Sequence, residues 1–164
     1  MRFRKDLQFY RKDENSKQGY RYEGEYFLAP VDPGCLQGIK ILLTVASFVQ
    51  AGLVFLMGRL DFPSLRTLFT IIPYLGLIYA SGRCLWAAVH LFTWKNRMTI
   101  RQKQVSWKAL QDHSMISAIA GVLIFLAVIG FLLWGNGSVA EEWRLLLLCT
   151  IQPALAWLIH VALK

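Results

Sequence analysis

LRTLFTIIPYLGLIYASGRCLWAAVHLFTW, residues 65–94, is a long apolar run with one arginine, Arg83, set deep inside it. A helix crossing a hydrocarbon core of about 30 Å needs ~20 mostly apolar residues. This run exceeds that length, so it must tilt, kink or begin in the interface. Pro73 is the expected break, since it removes a backbone donor and clashes with the preceding turn. At helical spacing Tyr79, Arg83, Trp86 and His90 share one face. Gly76, Ala80, Cys84 and Ala88 form an adjoining ridge of small residues, of the kind that lets membrane helices approach closely. The expectation is a central helix with its polar face turned toward other helices.

Three further apolar runs flank this one, and no Asp or Glu lies inside the apolar part of any of the four, Glu141 and Glu142 standing at the opening of the last. The expected fold class is an all-α membrane protein, a bundle of four transmembrane helices at about 38–58, 65–94, 113–134 and 139–163. Residues 38–164 then form the membrane domain and residues 1–37 a cytoplasmic basic segment. Without an internal acid, Arg83 must snorkel or meet backbone carbonyls, a polar side chain such as Gln50, or a lipid phosphate. An arginine buried in a bilayer centre costs about 2.5–3.5 kcal/mol on insertion scales, so its surroundings matter. Ser117 and Gly121 lie on one face of the third helix at close-packing spacing.

The 164 residues are 55% hydrophobic and carry a net charge of +8. In so apolar a chain the basic excess points to the cytoplasmic side and to anionic lipid, not to nucleic acid. Lys and Arg crowd the N-terminal segment and residues 95–112, whereas the 59–66 connection has only Arg59 and Arg66, and the 135–144 connection only Arg144. Both termini are therefore expected in the cytoplasm, in the plasma (inner) membrane. Cys35, Cys84 and Cys149 have neither disulfide nor zinc spacing. About forty largely polar residues precede the first run, which is unlike a signal peptide.

Outside the runs, residues 1–12 read as a short basic amphipathic helix or a basic tail, and 13–19 as a polar linker. Residues 20–28 alternate, with Tyr20, Tyr22, Tyr26 and Leu28 on one face, which argues for a strand. One strand cannot stand alone, so it needs a partner from 98–107 or from another chain. Residues 29–34 break the chain, with Asp32 and Pro33 as cap and first helical position. Ser138 and Glu141 have the spacing of a capping box for the fourth helix. The sequon at 136–138 lies in the turn before it and is read as a turn.

His90, His113 and His160 are expected near the cytoplasmic ends of helices two, three and four. Imidazoles from facing helices can hold haem iron or another metal, which gives an alternative reading as an electron-transfer protein. The plainer reading, with no cofactor, is that the three rings sit at wet helix ends. No HExxH, P-loop or dinucleotide fingerprint is present, and no acid completes a Ser/His set at one depth. The expected role is a non-enzymatic scaffold or accessory subunit that binds anionic lipid and other membrane proteins or itself. An oligomeric transport or channel component is a further alternative.

Overall fold

The computed structural model describes residues 10–12, 20–22, 26–28, 33–93, 97–134 and 138–163. Four helices account for most of them: α1 (Pro33–Arg59), α2 (Leu68–Thr93), α3 (Ile100–Leu133) and α4 (Val139–Ala162). All four are long and apolar enough to cross a membrane. Helices are the open-ended form such segments can take in hydrocarbon, because each satisfies its own backbone. Their outward surface is a continuous apolar coat that includes Phe48, Phe55, Phe69, Leu126 and Leu158. In water a coat of that extent would drive aggregation, while in lipid it is solvated.

The helices close a ring: α1 packs on α2, α2 on α3, α3 on α4, and α4 back on α1. Two apolar clusters fill it. One, around Leu43, Cys84, Ala88, Leu110 and Ile159, lies toward the end that carries both termini of the bundle. The other, around Met57, Leu77, Ile124, Leu145 and Cys149, lies toward the opposite end. The first end is tied together by Trp107, whose Nε1 donates to the Leu163 carbonyl at 3.1 Å.

The helix boundaries depart from expectation at all four helices. α2 is preceded by a 3-10 turn at Pro63–Arg66 and runs unbroken through Pro73. That proline sits near the N-terminal end of α2, where its missing N–H removes a single intrahelical bond. α3 begins at Ile100 rather than at 113, so most of the expected basic loop is helix. Its start is a full capping box: Gln102 N donates to Thr99 Oγ1 at 3.3 Å, and Thr99 N donates to Gln102 Oε1 at 2.8 Å. A π-helical turn at Gln104–Lys108 follows within α3. At α4 the Ser138–Glu141 box does not form, because the Ser138 side chain makes no capping bond. α1 begins at Pro33, five residues ahead of the expected 38, with proline at its first position.

Among the described residues, four short strands form two separate pairs. β1 (Tyr10–Lys12) pairs antiparallel with β2 (Tyr20–Tyr22), so these residues of the N-terminal segment are neither helix nor tail. The alternating 20–28 stretch is two strands, not one: β3 (Tyr26–Leu28) pairs antiparallel with β4 (Arg97–Thr99), with Phe27 opposite Met98. β4 leads directly into the Thr99 cap, so this pair joins the N-terminal segment to the α2–α3 connection. The readings of 1–9, the 13–19 linker, the 29–32 breaker with Asp32, and the 135–137 turn with its sequon lie outside the described residues.

Candidate functional site

α2 carries two adjoining faces, and only one can face the bundle. Ala80, Cys84 and Ala88 are fully buried against the other helices. Tyr79, Arg83 and Trp86 are on the outside, with Tyr79 63% and Trp86 44% exposed, and His90 is half-buried. This reverses the expected orientation of the polar face. Small residues win the inside because they let backbones approach, and dispersion between closely packed helices is what holds a bundle in lipid. Gly76 is half-buried, and a Cβ there would meet nothing within 4 Å, so close approach does not extend to it.

The outer patch has its own internal order. The Arg83 guanidinium carbon lies 5.1 Å from the centre of the Trp86 ring, a cation–π arrangement. Trp86 meets His90 edge-on at 4.2 Å between ring centres. Tyr79 meets His113 of α3 edge-on at 6.0 Å. Side chains on a helix lean toward its N-terminus by default. The Arg83–Trp86 contact fits that lean, since Trp86 lies three positions later and its ring falls over the preceding turn. Among the described residues no carboxylate pairs with it.

Gln50 is not part of this patch. It is fully buried and belongs to a polar layer between the two apolar clusters, to which each helix contributes one residue. Gln50 Nε2 of α1 donates to Ser117 Oγ of α3 at 2.5 Å, and Gln152 Nε2 of α4 donates to the same oxygen at 2.9 Å. Ser81 of α2 completes the layer, 3.4 Å from Ser117 Oγ and 3.5 Å from Gln50 Nε2. Ser117 thus accepts from two amides. The Oε1 atoms of both glutamines have no donor among the described residues. Gly121 lies directly beneath the Gln152 oxygen, and a Cβ there would collide with it and stand 3.2 Å from two ring carbons of Pro153. Ser117 and Gly121 are therefore both interior, one as hydrogen-bond hub and one as contact surface.

The histidines are dispersed. His160 Nδ1 is 3.0 Å from the Gln111 carbonyl and its ring stacks on Trp157. His113 and His90 sit against Tyr79 and Trp86. Among the described residues no three of His, Cys, Asp and Glu gather as a ligand set for a metal ion.

Sequence reasoning missed one site altogether. Glu142, in the first turn of α4, is fully buried and accepts from Ser64 N at 3.0 Å and from Ser64 Oγ at 2.8 Å. It clamps the 3-10 turn to α4 at the end away from the termini. Its partner is distant in sequence, so no local pattern announces it. Ser81 and Gln152 did have a signal: polar residues interrupting apolar runs, which in lipid are expected to face inward. Tyr20 and Tyr22 fall in β2 and Tyr26 and Leu28 in β3.

Compared with known proteins, the chain matches no family model, no curated protein and no solved structure.

Proposed function

We propose that the chain is a multi-pass integral membrane protein of the plasma (inner) membrane, with both termini cytoplasmic. It works as a non-enzymatic subunit that holds an anionic lipid headgroup at Arg83. The observation that carries this reading is the placement of Arg83: on the outside of the bundle, against Trp86, and with no carboxylate pairing among the described residues. A lipid-facing guanidinium at that position needs an anion, and phosphate is the anion a bilayer supplies. Arg83 precedes the end of α2 by about 15 Å of helix axis, a path that a snorkelling guanidinium shortens. Trp86 and His90 continue the same path toward that interface, where amphipathic rings are favoured. The polar layer that links all four helices through Ser117, and the apolar clusters above and below it, suit a packed scaffold. Assembly with other membrane proteins would use the β1–β4 end and the exposed helix faces.

Lipid retention tests this. Protein purified in mild detergent is expected to keep phosphatidylglycerol in preference to phosphatidylcholine. Arg83→Leu should lower that retention by about one bound lipid per chain, and Arg83→Lys should keep much of it, since a point charge survives. The thermal midpoint of Arg83→Leu should not fall, because leucine removes a desolvation cost. Equal retention by wild type and Arg83→Leu would remove the headgroup role.

A further inference from the structure

Between α1 and α2, toward the connection that joins them, lies a groove of about 580 Å³. Ala51, Phe55, Ile78 and Gly82 form its walls, Ser81 lies at its deep end, and Arg59 stands at its mouth. From Ala51 to Arg59 the groove follows about 12 Å of helix axis, close to the ~15 Å that one leaflet contributes to the hydrocarbon core. Phe55 and Ile78 are exposed, so the groove opens sideways into the apolar coat and not into the bundle.

Its shape is held by a specific contact. The Tyr74 hydroxyl donates to the Val54 carbonyl at 3.0 Å and lies where a side chain at Gly58 would otherwise stand. Glycine at 58 therefore lets Tyr74 bridge the two helices at the mouth, and the space behind that bridge stays open. The charge at the mouth is unspent. Asp61, the acid nearest in sequence, is held by Arg66 through both oxygens at 2.7 and 2.8 Å. Among the described residues no carboxylate pairs with Arg59.

We propose that this groove holds one acyl chain of an anionic phospholipid, with the phosphate on Arg59. The apolar walls and one-leaflet depth select a chain, the sideways opening selects a molecule of the surrounding bilayer, and the uncompensated guanidinium selects an anionic head. Its mouth at Arg59 lies at the end of the bundle away from the termini, whereas Arg83 adjoins only the deep end, next to Gly82.

Photocrosslinking of the full-length protein tests it. The probes are phosphatidylglycerol and phosphatidylcholine carrying a diazirine near one chain terminus, and a free fatty acid with the same group. The phosphatidylglycerol probe should crosslink within 51–58 and 74–82. Ala51→Leu, which fills the groove, should lower that yield about tenfold, and Arg59→Gln about threefold. Arg83→Leu should leave it unchanged. Equal yield from phosphatidylcholine, preference for the free fatty acid, crosslinks to a second copy of this chain across the groove, or insensitivity to both groove variants would each overturn the proposal. So would a fall in step with Arg83→Leu, since the two sites would then not be separate.

Discussion

Gly121→Leu is expected to destabilise the bundle by about 3 kcal/mol, at the upper end of the range for overpacking a filled interior. The position leaves no room for a side chain. A Cβ alone would strike the Gln152 amide oxygen and press on two ring carbons of Pro153 at 3.2 Å. The amide can swing aside, but then its 2.9 Å bond to Ser117 is lost. The proline ring cannot swing, because it is fixed to the α4 backbone. α3 and α4 must therefore separate, and with them the layer that joins all four helices. Gly121→Ala should cost about half as much on the same grounds. Gly82→Ala is the control: a Cβ there meets nothing within 4 Å, so stability should hold or rise slightly through better helix propensity. Thermal or denaturant unfolding in a single detergent reads all three. Equal stability of Gly121→Leu and Gly82→Ala would show that α3 and α4 do not meet at Gly121.

The second large effect is expected at Glu142. Its carboxylate accepts both donors of Ser64, and both residues are fully buried. Glu142→Ala strands two buried donors and should cost about 2–4 kcal/mol, as for other buried groups left unpaired beside a charge-assisted bond. Glu142→Gln keeps one acceptor oxygen and should lie between. Ser64→Ala removes only the hydroxyl and should be milder. The double variant Glu142→Ala/Ser64→Ala should cost less than the two singles added, because the hydroxyl is then no longer stranded. Strict additivity would mean that the bond between the Ser64 hydroxyl and the Glu142 carboxylate contributes nothing to the fold.

Much of the architecture was legible in the four apolar runs, because hydropathy and length are properties each segment carries alone. The start of α3 was legible too: Thr99 and Gln102 have capping-box spacing, but the many basic residues after them read as loop. The reverse happened at α4, where Ser138 and Glu141 have the spacing and the side chain makes no cap. Spacing permits a box, and the competing Glu142–Ser64 clamp shapes that end through a residue on another helix. The face of α2 was read correctly as a set and then turned the wrong way. Polar faces turn inward when an interior partner of opposite charge exists, and the polar layer around Ser117 is built of neutral amides and hydroxyls that offer Arg83 no counter-charge. The adjoining Ala80, Cys84 and Ala88 ridge takes the interior by packing. Gln152 and Ser81 join Gln50 and Ser117 only through tertiary geometry, which no single run encodes.

Everything proposed for Arg83 and Arg59 rests on four membrane crossings with the basic end in the cytoplasm. Cysteine accessibility tests that directly. With Cys35, Cys84 and Cys149 replaced, single cysteines are introduced as Arg101→Cys at the basic end and Asp61→Cys at the other, both at exposed positions. An impermeant maleimide added to intact cells should label position 61 and spare position 101, and position 101 should react once the cells are opened. Labelling of position 101 from outside, with position 61 protected until lysis, would contradict the account and put both arginine sites in the wrong leaflets.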